Sequence, residues 1–93
     1  MDAPPEFEWD AEKAATNYIR HGVSFLFATA VFRDPMRADF DASRPEDQEE
    51  RRKAVGRIGR KLFAVVYTVR GDVIRLISAR RTNRAEDHLY GNR

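Results

Sequence analysis

The chain has 93 residues, 42% hydrophobic and 34% charged, which is the size of one domain (1–93) with a modest core. With no cysteine, and with His21 and His88 far apart in sequence, disulfides, thiolate metal sites and a histidine metal pair are all excluded. The net charge of +2 conceals a split: residues 1–50 hold 5 basic and 12 acidic side chains, net −7, and residues 51–93 hold 12 basic and 3 acidic, net +9.

In chain order, the opening MDAPPEFEWD is acidic and proline-containing, unlike a basic signal peptide. WDAEKAATNYIRHG (9–22) predicts a helix, with Asp10 as N-cap and Gly22 as the left-handed stop. Ala14, Asn17 and Tyr18 fall on one face of it. VSFLFATAVFRDP (23–35) predicts a second, short helix, capped by Ser24, striped by Phe25, Ala28 and Phe32, and ended at Asp34-Pro35. MRADFDA (36–42) fits an edge strand, and the acidic SRPEDQEE (43–50) fits a loop. ERRKAVGRIG (50–59) is a weaker strand with Gly59 near a tight turn. KLFAVVYTV (61–69) is apolar on both faces and should be central. After the turn RGD, VIRLISAR (73–80) continues an antiparallel meander. A last helix starts at Asn83, which with Glu86 spells a capping box. The expected fold is α+β: a small antiparallel sheet of three to four strands, two N-terminal helices and a C-terminal helix, packed mainly on one face.

No phosphate-loop or dinucleotide motif is present, so no cofactor is expected. No apolar run approaches the ~20 residues that cross a bilayer, and the expected compartment is a prokaryotic cytoplasm. The acidic pairs Glu46-Asp47 and Glu49-Glu50 fit a solvated loop better than a general acid and base. His21 fits a cation at a helix C-terminus.

The arginines remain. They are 14 of the 17 basic residues, and Arg favours planar, bidentate recognition of phosphate or carboxylate. Arg75 interrupts an apolar strand that Arg80 ends. Their parity differs, so a regular strand would put them on opposite faces, and only a twist or bulge at ISARR would unite them. The alternative is pairing with the acidic first half. Tyr67 either stacks on a base or belongs to the core with its hydroxyl bonded at the edge.

FEWDAEKAATNYIRHGVSF, VFRDP, EER and YTVRGDVIRLISARRTNRAEDHLY together resemble the BrnT family, toxins of BrnT/BrnA type II toxin–antitoxin systems, over about residues 7–90. The resemblance implies a RelE-like fold and an endoribonuclease that cleaves RNA without a metal or cofactor, inhibits translation and arrests growth. It implies a BrnA-like ribbon-helix-helix antitoxin, whose dimer carries two toxins and through which alone operator DNA is bound. It also implies catalytic roles for Arg51, Tyr67, Arg75, Ser78 and Arg80, with Glu86 and Tyr90 anchoring the last helix. LYGNR ends the chain soon after, and no tail function is expected. A non-catalytic nucleic-acid-binding module, or a protein-interaction module whose arginines hold an acidic partner, explains the basic half as well.

Overall fold

The computed structural model describes residues 5–91, so residues 1–4 of the acidic opening and residues 92–93 lie outside it. Its first element is a three-residue strand, β1 (Glu6–Glu8). Helix α1 (Ala11–His21) follows, with both predicted caps in place. The Lys13 N–H donates to the Asp10 carboxylate at 3.1 Å, and Gly22, at φ 69°, donates its N–H to the Tyr18 carbonyl at 2.8 Å. Ser24 caps α2 (Phe25–Ala28) by accepting the Phe27 N–H at 3.0 Å.

The second helix departs from expectation after one turn, tightening into a 3-10 stretch over Thr29–Arg33 that Asp34 stops. Its residues explain this. β-Branched Thr29 and Val31 lose side-chain freedom in an α-helix, and the Thr29 hydroxyl bonds back to the Leu26 carbonyl at 2.7 Å.

Strands β2 (Ala38–Asp41), β3 (Arg52–Ile58), β4 (Lys61–Arg70) and β5 (Val73–Arg81) form the predicted antiparallel meander. The sheet order is β1-β5-β4-β3-β2, with β4 central and β2 at one edge. The expected antiparallel sheet of three to four strands is corrected to a mixed sheet of five, because β1 runs parallel to β5 and sets Glu8 beside Arg75. Three residues are too few for alternation to show.

On one face of the sheet, Val65, Tyr67, Leu76 and Ala79 meet Val23, Phe25, Ala28 and Val31 in the core. Gly56 permits that contact, since a Cβ there would stand 2.8 Å from Val31 Cγ1. Helix α3 (Arg84–Gly91) packs against β3, where Glu86 reaches Lys53 and Arg80 on the opposite face. The helices therefore divide between the faces instead of gathering on one. Among the described residues, no helix is long and apolar enough to cross a membrane.

Helix α1 takes a third position, along the edge of β5. β1 covers only Val73–Arg75 and leaves the rest of that edge open. Buried Asn17 closes it. Its Oδ1 accepts the Ala79 N–H at 3.0 Å, and its Nδ2 donates to the Ala79 carbonyl at 2.8 Å and to the Val23 carbonyl at 3.0 Å. One amide makes the two bonds a neighbouring strand would make. With Asn17 aimed at the strand, Tyr18 lies one step round the helix and is 58% exposed, off the buried face expected for it.

Asn17→Ala leaves a buried N–H and two carbonyls unpaired, and should cost about 2–3 kcal/mol of stability. Urea unfolding followed by circular dichroism measures it, and an unchanged midpoint would show that the edge does not depend on this amide.

Candidate functional site

The geometry of the basic face starts from a bulge. Ser78 lies opposite Val66 but Leu76 opposite Tyr67, so Ile77 is an extra residue in β5. Parity reverses there. Arg75 pairs with Thr68, Ser78 with Val66 and Arg80 with Ala64, three positions of β4 that alternate onto one face. Arg75, Ser78 and Arg80 thus share the face away from the core.

Tyr67 is on the other face. It is 5% exposed, its ring packs edge-on against Phe32 at 4.9 Å, and its hydroxyl donates to Asp39, which also accepts Arg52 Nε at 2.8 Å. Burial, and then the Asp39 hydrogen bond and charge, push its pKa up to about 12. Of the two sequence alternatives for Tyr67, this position is the core one.

Arg80 shares a face with Arg75 but is fully engaged. Its Nη1 and Nη2 donate to Glu86 Oε1 and Oε2, each at 2.8 Å, and Lys53 Nζ donates to Oε2 at 2.8 Å. The Asn83 N–H adds a bond at 2.9 Å, and Asn83 Oδ1 accepts the Glu86 N–H at 2.9 Å, completing the predicted capping box. Burial alone would raise the Glu86 carboxyl. The bonds from Arg80, Lys53 and Asn83 outweigh it and hold the pKa at about 2. Tyr90 donates to Asp34 at 2.8 Å, tying the far end of α3.

Arg75 holds a more exposed partner than Arg80 does, whereas the Asp47 carboxylate beside Arg51 is as buried as Glu86. Arg75 Nη1 bonds Glu8 Oε2 at 2.8 Å, and the Glu8 side chain is 40% exposed. Arg51 Nε lies 3.3 Å from Asp47 Oδ1. Beside them, Arg70 grips Glu49 at 2.7 and 3.0 Å. The acidic loop is therefore not simply solvated. The Arg44 hydrogen bond holds the Asp47 carboxyl below its usual range, and the Arg70 hydrogen bond does the same for Glu49.

These groups line a two-part cleft on the basic face. Arg51, Arg75 and Thr68 line one half. Arg51 again, with Ser78 and His21, lines the other. Lys13 of α1 borders both halves. Thr68 Oγ1 is buried and has no hydrogen-bond partner among the described residues. It is an unsatisfied polar group just under the cleft wall, shut off from solvent. Among the described residues, no three His, Cys, Asp or Glu side chains cluster as metal ligands. The structure thus brings together Arg51, Arg75 and Ser78, commits Arg80 to Glu86, and puts Tyr67 elsewhere. Sequence reasoning missed Lys13 and Thr68, which no local pattern marks, because only the tertiary fold brings α1 and β4 to the same cleft.

A family model described as ribonuclease toxin, BrnT, of type II toxin-antitoxin system matches residues 9–86. No curated protein matches the chain.

Glu86 should also govern acid stability. Its carboxyl sits at about 2 in the fold against an ordinary 4.5, so its contribution is complete above pH ~4.5 and is lost as pH falls toward 2. Glu86→Gln should cost about 2–3 kcal/mol at neutral pH, leaving Arg80 and Lys53 without their carboxylate, and should flatten that acid limb. Denaturant midpoints from pH 2.5 to 7 test this, and parallel curves for the two proteins would contradict it.

Proposed function

The chain belongs to the BrnT family of ribonuclease toxins of type II toxin–antitoxin systems, and from that premise we propose that it cuts RNA in the cleft between α1 and the sheet. The observation that carries this reading is the bulge at Ile77, which turns Arg75 and Ser78 onto the face that Arg51 borders, above the unpartnered Thr68 hydroxyl.

In this mechanism the substrate's own 2′-oxygen attacks the adjacent phosphorus. The P–O5′ bond breaks, leaving a 2′,3′-cyclic phosphate and a free 5′-hydroxyl. Negative charge grows on the non-bridging oxygens, and guanidinium groups fixed on a rigid sheet stabilise it without reorganising. Arg75, which leaves only a part-exposed Glu8 behind, supplies that stabilisation. Arg51 positions the backbone, and the Ser78 hydroxyl holds a phosphate oxygen. His21, which lines the cleft, takes the proton from the 2′-hydroxyl, and the departing 5′-oxygen takes one up from water. Arg80 supports the site from outside as the anchor of α3. The cations supply the charge, so the step needs no metal or cofactor.

The same reading makes this a RelE-like toxin that inhibits translation and arrests growth. Its partner is a ribbon-helix-helix antitoxin, two toxins being carried on the antitoxin dimer, which binds the operator.

Single-turnover cleavage of a defined RNA tests the assignments. Arg75→Ala should fold, because an exposed ion pair contributes only ~0.2–1 kcal/mol, and should lose about 10²–10³ in rate. Arg75→Lys keeps the charge without the planar fork and should recover only part of it. Arg51→Ala should chiefly weaken RNA binding, and Arg80→Ala should chiefly destabilise the fold. EDTA should leave the wild-type rate unchanged. RNA that shifts on a gel without being shortened, or Arg75→Ala at full rate, would overturn the mechanism.

A further inference from the structure

A second concave surface meets the cleft at His21 and extends between the end of α1, the start of α2 and the β3–β4 turn. Its floor is apolar: Tyr18, Phe27, Ile58 and Phe63 line it, and its volume is about 580 Å³, room for several side chains. Tyr18 and Phe27 are 58% and 48% exposed, a large apolar investment for a free surface. The rim has one sign of charge. Arg60, Lys61 and Arg81 border the groove, and no carboxylate lines it among the described residues. Elsewhere on this protein arginines take acidic partners, as Arg70, Arg75 and Arg80 do.

We propose that this groove docks the antitoxin, through an amphipathic segment that sets apolar side chains on the floor and carboxylates against Arg60, Lys61 and Arg81; the inference rests on the toxin reading above. Charge complementarity selects an acidic occupant. On the floor of the groove, the packing of Phe63 suits a peptide better than a stacked base. Phe27 meets Phe63 edge-on at 5.3 Å and 76°, and the Arg81 guanidinium lies over the Phe63 ring at 5.5 Å. Phe63 therefore offers no open face to a stacked base, whereas aliphatic side chains pack against ring edges without one. Of the cleft residues, Arg51, Arg75 and Ser78 do not line the groove, while His21 at the end of α1 borders both surfaces. Docking here engages the toxin without competing for Arg51, Arg75 or Ser78.

The test titrates a cognate ribbon-helix-helix antitoxin against purified toxin, by calorimetry at two salt concentrations, with RNA cleavage by free toxin in parallel. The variants are Tyr18→Ala and the double Arg60→Glu/Lys61→Glu, with folding checked by circular dichroism. Each should weaken antitoxin binding by about 10-fold or more, the wild-type affinity should fall as salt rises, and cleavage should stay within about twofold of wild type. Folded variants that bind as tightly as wild type overturn the proposal. So does a loss of cleavage with binding intact, which assigns the groove to RNA, or a wild-type dimer that the variants dissociate, which assigns it to a second copy. A wild-type chain that neither cleaves RNA nor binds the antitoxin overturns the toxin reading as well. Wild-type cleavage and binding with unimpaired variants sinks the groove alone.

Discussion

The two hydrogen bonds between the Asn17 amide and the Ala79 backbone hold α1 to a strand edge that β1 is too short to cover. Both surfaces with chemical interest follow from that attachment. On one side of α1, Lys13 and His21 face the sheet across the cleft. At its end, the third bond from Asn17, to Val23, fixes the chain reversal at Gly22 and brings Tyr18 and Phe27 to one groove. A longer β1 would close the β5 edge more fully, and would take the place α1 occupies as a wall. The fold trades edge pairing for a cleft, with a single buried amide making up the difference.

The basic face sorts its arginines by the company they keep. Arg80 and Arg75 come from one strand and point the same way, yet Arg80 meets a carboxylate with 4% side-chain exposure and Arg75 one with 40%. A buried carboxylate gripped by Arg80, Lys53 and a backbone N–H does not exchange its partners for a passing phosphate. A part-exposed one does, since the pair contributes little in water. Identical side chains thus differ in how readily they change partners, according to where the acid sits.

Much of the fold was legible in the sequence, because caps and alternation are local. Asp10, Gly22, Ser24 and the Asn83–Glu86 box all act within four residues, and the even apolar pattern of β4 marks a central strand. β1 was not legible, being shorter than one period of any pattern. The basic half was plain from composition, and Arg51 borders two adjoining hollows, one lined by Arg75 and the other by Ser78. Parity alone would have separated Arg75 from Arg80, and the reversal at Ile77 is a property of the pairing with β4, which no residue type announces. The fate of Arg80 was likewise hidden, since Glu86 was visible as a cap but not as a clamp. Lys13 and Thr68 needed the whole tertiary arrangement.

The carboxylates of the cleft have a further consequence, best put as ion exchange. Glu8 and Glu49, both part-exposed, are counterions tethered to the protein, already seated on Arg75 and Arg70. A bare cationic groove gains from releasing condensed cations, and its log affinity for single strands falls by ~0.7 per log unit of salt for each phosphate neutralised. Here each displaced carboxylate recruits a cation from solution as each phosphate gives one up, so the two flows oppose. The salt dependence is then shallower than the arginine count implies, and diffuse attraction to bulk RNA is muted.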